Sequence, residues 1–236
     1  MIVFCDGMQR SASTWAFNVC VKLLAAGPPL ARIYSVFHEN AGELLSSLPL
    51  EYDHLVVKCH HLDATAKTLI RTGAAKAVYT HREALDAIAS YMLMFHRPFD
   101  EALGAIRDSF LLWRFQRDYP NCYTAGYAAI REAPRERTAE IARFLGLDLS
   151  ADALGRVEAQ TSFGAMKRVS DELGTRDPSQ LIRVGGLAHD PQTLLHRHHL
   201  RDGGSGYGRE VLSAEQQRQA ADVLAGLDPS AGPGTV

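Results

Sequence analysis

Three stretches of this chain combine residue types and spacings that can do chemistry on an anion. The first is Asp6-Gly7-Met8-Gln9-Arg10-Ser11-Ala12-Ser13-Thr14-Trp15, which follows an apolar run at 2–5 and leads into a helical pattern. A strand, a loop of small hydroxyl residues and a helix N-terminus make an anion cradle. The first helical N–H groups lack partners, and the helix dipole favours negative charge there. Arg10 adds a fixed cation whose fork fits phosphate or sulfate oxygens. Ser11, Ser13 and Thr14 also suit plain N-cap roles, so the loop alone decides nothing. A Walker A loop would carry a lysine just before its Ser/Thr, whereas here Ala12 precedes Ser13 and the cation stands upstream at Arg10. That displacement argues against an ordinary ATPase or GTPase.

The second stretch is Tyr79-Thr80-His81-Arg82, where a β pattern gives way to a helical one at 83–91. Asp86 and Ser90 share a helix face at i, i+4. Arg82 reaching forward and Ser90 reaching back can grip one phosphate between them. The third is Val56-Val57-Lys58-Cys59-His60-His61-Leu62. Strand alternation puts Lys58 and His60 on one face and Cys59 and His61 on the other. An imidazole with a reference pKa of ~6.5 is a serviceable base near neutral pH. A slip of one residue exchanges His60 for His61 in that role.

Taken in order, these segments resemble the signature of sulfotransferases that use 3′-phosphoadenosine 5′-phosphosulfate (PAPS). Gln9–Trp15 is similar to the family's [KR]-[ST]-G-[ST]-[ST]-W, with Ala12 in the glycine position. Arg82, Asp86 and Ser90 fall on R-x-P-x-D-x-x-x-S without a gap, with Ala84 for proline, and Lys58-Cys59-His60-His61 resembles K-[ST]-H-[LD]. Further on, residues 127–134 keep the frame of Y-E-D-L-x-x-D-P without its acids. Thr161-Ser162-Phe163-Gly164-Ala165-Met166-Lys167 resembles T-S-F-x-x-M-K, and residues 201–207 resemble R-K-G-x-x-G-D-W, with Asp202 in place of the lysine. The resemblance implies that Arg10 and the backbone of Ser11, Ala12, Ser13 and Thr14 hold the 5′-phosphosulfate, with Trp15 stacked on adenine. It implies that Arg82, Ser90, Arg201 and Gly203 hold the 3′-phosphate. Tyr127, Thr161, Phe163 and Met166 would then surround the adenosine. His60 becomes the general base, with Arg10 and Lys58 stabilising the transferred group and the leaving group. Without the resemblance, Trp15, Phe163 and Met166 read equally as core residues and Tyr127 as a buried strand-end tyrosine.

The reaction implied is sulfuryl transfer to the hydroxyl of a small-molecule acceptor, such as a secondary metabolite, with release of 3′,5′-ADP and no metal. The His196-Arg197-His198-His199 run reads as a mobile basic segment beside the cofactor rather than a metal site. Two alternatives stand beside this reading: a P-loop nucleotide kinase-like phosphotransferase, and a catalytically silent nucleotide-binding module. Six apolar side chains, Met92, Met94, Phe95, Phe99, Phe110 and Trp113, either line an acceptor pocket or pack a helical lid. A homodimer is left open, since the family's short C-terminal dimer motif has no clear match.

These residues need a scaffold that delivers them to one edge. Short apolar runs at 2–5, 31–37, 54–59, 75–80 and 122–127 read as buried strands, with helical patterns at 13–26, 41–48, 63–72, 83–95 and 100–117 between them. Helices follow at 134–145 and 151–160, regular periodicity is lost from 161 to 209, and Ser213-Ala214-Glu215-Gln216 reads as a capping box opening a last helix. The expected fold is α/β: a three-layer P-loop-like fold whose central parallel sheet of about five strands is flanked by helices. It forms one domain over 1–228 with a flexible tail at 229–236. The 236 residues, 46% apolar, allow one substantial core. A net charge of −2 argues against nucleic acid or an anionic membrane as partner. Four scattered cysteines fit reduced thiols. The chain enters its first apolar run without a basic leader and has no run long enough to span a bilayer, so a cytoplasmic protein is expected.

Overall fold

The computed structural model describes residues 1–27, 31–48, 51–184, 186–197, 199–200, 204–225 and 227. In chain order the elements are β1 (Ile2–Gly7), α1 (Ser13–Ala26), β2 (Ile33–Phe37), α2 (Ala41–Ser47), β3 (His54–Lys58), α3 (Ala64–Arg71), β4 (Ala75–His81), α4 (Ala84–Phe95) and α5 (Phe99–Gln116). They continue with β5 (Cys122–Gly126), α6 (Tyr127–Glu132), α7 (Pro134–Leu145), α8 (Ala151–Thr161) and α9 (Phe163–Glu172). The last are β6 (Ile182–Val184), β7 (Leu187–His189), α10 (Gly208–Val211) and α11 (Ala214–Ala225).

Strands β1 to β5 form one parallel sheet in the order β2-β3-β1-β4-β5. Both faces are buried, so alternate residues of each strand feed separate cores. Phe4, Leu55, Val57, Ala77 and Tyr79 pack against α2 to α5 and α11. Val3, Cys5, Val56 and Val78 pack against α1, α7, α8 and α9. This explains why the strands read as continuous apolar runs rather than alternating ones. The chain leaves β1 toward β2 and leaves β4 toward β5, in opposite directions, so the ends of these neighbouring strands form the crevice where α/β sheets bind ligands.

Local chemistry sets the helix ends. Asn40, Asp63, Ser150 and Ser162 accept from N–H groups three residues on and so cap α2, α3, α8 and α9. Pro134 starts α7, and Gly146 stops it with φ at 80°. The capping box at α11 is reciprocal: Gln216 N–H donates to Ser213 Oγ at 3.3 Å and Ser213 N–H to Gln216 Oε1 at 2.9 Å.

Two sequence expectations change. Strand β5 ends at Gly126, so Tyr127 opens a short helix instead of closing a strand. The stretch read as irregular from 161 onward contains α9 and the β6–β7 hairpin. Three-residue strands are too short to show alternation, and the break between α8 and α9 falls at Ser162, where two helical phases overlap. The expected tail at 229–236 lies outside the described residues.

Candidate active site

The loop after β1 is held by backbone contacts that only small residues allow. Met8 N–H donates to the Thr80 carbonyl at 2.9 Å. A Cβ on Gly7 would stand 2.6 Å from Thr80 Oγ1, so β1 and β4 touch here only because residue 7 is glycine. Ser11 turns inward: its Oγ lies 2.5 Å from the Met8 carbonyl oxygen and 2.9 Å from that of Thr80, and its N–H donates back to Met8. Arg10 and Ala12, on either side, take left-handed φ values of 68° and 72°. Such a conformation costs an L-residue roughly 1–2 kcal/mol, which is why glycine is the easier choice at position 12. Ala12 is the N-cap of α1 and supplies no side-chain acceptor, so the first N–H groups of the helix are left for another partner.

At the start of α4 the Glu83 carboxylate caps the Asp86 N–H at 2.7 Å. Asp86 is fully buried and ties down the glycine-rich turn from the far end of the chain. Its Oδ2 accepts from Gly206 N–H at 2.9 Å and its Oδ1 from Gly208 N–H at 2.8 Å, while its carbonyl accepts from the Tyr207 hydroxyl at 3.0 Å. Arg82 lies under this turn. It donates to the Gly204 carbonyl at 3.0 Å and sits over the rings of Tyr127 and Tyr207 at 4.2 and 5.5 Å. Its Nε is buried with no partner among the described residues. Ser90, two turns on, accepts from Arg10 Nε at 3.1 Å and not from Arg82.

The end of β3 presents Lys58 and His60 together. Lys58 Nζ is 3.3 Å from His60 Nε2 and 3.2 Å from the Cys59 carbonyl. The ammonium can only donate, so Lys58 fixes the lone pair on Nε2 even though this leaves Nδ1 buried without a hydrogen-bond partner among the described residues. Burial first, then the Lys58 charge, holds the His60 imidazole well below the usual histidine range, and the Gly7 carbonyl works the other way. Burial likewise lowers the Lys58 ammonium. The Glu39 carboxylate fixes the backbone here, accepting from His60 N–H at 3.0 Å and His61 N–H at 2.9 Å.

These pieces line one cleft of about 500 Å³. Arg10, Lys58, Arg82 and Arg131 bring four cations to its wall, and no carboxylate lines it among the described residues. Arg131 covers the Phe163 ring at 4.7 Å. The far wall comes from the hairpin and the segment behind it: Leu187, His189, Leu194, His196 and His199. A carboxylate-free, cation-lined cleft at the crevice of a parallel sheet is built to take a polyanion.

The sequence model of the family described as sulfotransferase domain matches residues 46–183. The chain belongs to that family. No curated protein matches it. Among solved structures it is similar to mouse sulfotransferase SULT7A1 complexed with PAP, with a TM-score of 0.69 and 16% identity over 98% of this chain and 85% of that one. It is also similar to retinol dehydratase in complex with androsterone and inactive cofactor PAP, with a TM-score of 0.64 and 18% identity over 96% and 80%. At such identities the likeness speaks for the fold.

In this sulfotransferase Arg10, Ala12, Ser13, Thr14, Trp15, Lys58, His60, Arg82, Ser90, Tyr127, Thr161, Phe163 and Met166 all line the cleft. Ser11 does not, because its hydroxyl and N–H are both engaged beneath the loop. Thr161 lines it with a hydroxyl that donates into its own helix, to the Val157 carbonyl at 2.8 Å. Arg201, Asp202 and Gly203 lie outside the described residues, as does His198. His61 is exposed and away from the cleft. His196 and His199 are packed rather than loose: His196 is buried and its ring lies 4.2 Å from that of His199. Among the described residues no three His, Cys, Asp or Glu side chains are grouped to hold a metal ion. Of the six candidate acceptor residues only Phe95 reaches the cleft, while Phe99 is buried and Met92, Phe110 and Trp113 pack on the core. Glu39 and His189 belong to no motif in the sequence, and the run that holds His196 and His199 reads there only as a basic segment beside the cofactor.

Proposed function

We propose that this sulfotransferase moves the sulfuryl group of PAPS to the hydroxyl of a small-molecule acceptor and releases 3′,5′-ADP. The observation that carries the reading is a cation-lined cleft without carboxylates that joins an uncapped helix start to a Lys58–His60 pair. In it, Arg10 and the first N–H groups of α1 hold the 5′ end of the cofactor. Arg82 and Ser90 hold the 3′-phosphate, and Trp15, Tyr127, Thr161, Phe163 and Met166 enclose the adenosine. The buried, unpartnered Nε of Arg82 supports an anion at that end.

His60 takes the acceptor proton at Nε2 as the acceptor oxygen bonds to sulfur and the sulfur–oxygen bridge to the 5′-phosphate breaks. Lys58 turns from His60 to the oxygen that leaves, where negative charge develops. The lowered His60 pKa supports the base role, since the ring is already neutral at pH 7. Phe37, whose ring is 6.2 Å from that of His60, brings apolar surface beside the base, and Phe95 and Leu187 add to the cleft. That surface favours a small apolar alcohol or phenol. The androsterone held by the retinol dehydratase neighbour is of this kind.

Incubation with PAPS and a panel of hydroxylated acceptors tests the reading. We expect a sulfated product, its loss by at least 100-fold in His60→Ala with 3′,5′-ADP affinity retained, and near-normal turnover in His61→Ala. A protein that neither sulfates any acceptor nor binds 3′,5′-ADP overturns it.

A further inference from the structure

The far wall of the cleft holds an imidazole that this scheme leaves unused. His199 lines the cleft where Arg10 reaches across to it, the Arg10 Nη2 donating to the His199 carbonyl at 3.0 Å. The residue is held from three sides. Ser170 Oγ accepts from His199 N–H at 3.1 Å and donates to the His196 carbonyl at 2.8 Å. The His196 ring packs against its ring at a tilt of 53°, with centroids 4.2 Å apart. The third contact is Arg10 itself. Ser170 and Arg10 thus fix its backbone, and the His196 ring packs on its imidazole.

Its two ring nitrogens differ. Nδ1 is buried with no partner among the described residues, whereas Nε2 is not buried in this way. A buried N–H without an acceptor is the rarer fault in a folded protein. No lysine or other donor among the described residues fixes the lone pair here as Lys58 does at His60, so the ring proton belongs on Nε2 of a residue that lines the cleft. Burial, with His196, Arg10, Lys58 and His189 beside it, holds the His199 imidazole well below the usual histidine range. The ring is thus neutral at pH 7 and lies in the field of the two cations assigned to the reacting group.

We propose that His199 is a further catalytic residue, whose Nε2–H donates a hydrogen bond to a non-bridging oxygen of the transferring sulfuryl group. This rests on the PAPS reading above. A neutral donor suits the position, because a third positive charge next to Arg10 and Lys58 would be repelled, while an N–H dipole adds stabilisation at little cost. The hairpin β6–β7 and the segment after it then do more than cover the site: they deliver a donor beside Arg10.

Binding tests this without knowing the acceptor, since 3′,5′-ADP lacks the sulfuryl group and PAPS carries it. His199→Phe keeps a ring against His196 and removes the donor, and His199→Gln restores an amide N–H near the place of Nε2. In titration calorimetry His199→Phe should weaken PAPS about tenfold and leave 3′,5′-ADP within about twofold. His199→Gln should recover most of the loss. Equal weakening of both ligands, no weakening of either, or a Gln variant no better than Phe overturns the assignment. Should His199→Phe not fold, His199→Asn makes the same comparison, because its shorter amide cannot reach. Wild-type protein that binds neither ligand defeats the PAPS reading itself, a different result from wild-type binding without a His199 effect.

Discussion

Two buried ionisable side chains near the base set how activity and stability depend on pH. His60 must be neutral to act, and its pKa is held well below 6.5, so the acid limb of the rate profile should lie below the ordinary histidine range. Lys58 must be charged, and its pKa is lowered from 10.5, so the alkaline limb should begin earlier than a free lysine would set it. Initial rates over pH 5–10 at saturating PAPS measure both limbs, and an acid limb centred near 6.5 would contradict the burial of His60. Asp6 works on stability. Gln116 Nε2 donates to its Oδ2, but Asp6 Oδ1 and Gln116 Oε1 have no partner among the described residues. Burial raises the carboxyl from 3.8 to about 7. Between those values the folded chain keeps a proton the unfolded chain has released, so this group lowers stability as pH rises, by about 4 kcal/mol at most. Asp6→Asn offers an N–H to Gln116 in place of the orphan oxygen and should raise Tm, more at pH 8 than at pH 5. Lys58 and His60 were legible in the sequence as a pair two residues apart at a strand end, although β3 stops at Lys58 and it is the Glu39 carboxylate on the His60 N–H that fixes the backbone beyond it. Glu39 was not legible, since it acts on backbone N–H groups, and His199 was legible only as part of a basic segment beside the cofactor, since no spacing encodes its contacts with Ser170 and His196.

At the scale of elements, the junction between α4 and α10 decides whether Arg82 is positioned. A Cβ on Gly208 would stand 2.3 Å from the Leu85 carbonyl carbon and 2.6 Å from the Asp86 nitrogen, so the two backbones meet only through glycine. Gly208→Ala must push α10 away and weaken the bonds from Gly206 and Gly208 to Asp86. The expected cost is ~1–3 kcal/mol in thermal unfolding, with weaker 3′,5′-ADP binding because Arg82 loses the turn that covers it. Unchanged affinity would show that Arg82 holds its place without the turn. The five strands and the helices between them were readable because each buries two faces or one stripe along its whole length. Helix α6 was missed because its first residues continue the apolar run of β5. The β6–β7 hairpin was missed because its strands are three residues each.

At the scale of the molecule, the two cores share the same five strands, one on each face of the sheet. Neither can lose its packing without exposing the other's strands, so we propose that the chain unfolds as the single domain its sequence suggests. Calorimetry should give one transition whose midpoint rises with 3′,5′-ADP, by ~2.7 kcal/mol of added stability at 100 times Kd. Two separable transitions would refute the single domain. The family match at 46–183 leaves out the loop of Arg10 and the turn at 206–208. The cleft is made by the loop of Arg10 and the turn at 206–208, near the two ends of the chain, folding onto the segment between them. The bond from Gly208 to Asp86 joins residues 122 positions apart. During synthesis at ~5–20 residues per second, the loop and the base leave the ribosome on the order of ten seconds before the turn that completes the site. A nascent chain in that interval offers a helix start and a histidine but an uncovered Arg82. Such an intermediate lacks the turn over Arg82, so 3′,5′-ADP should stabilise a chain that has completed this turn more than one still without it.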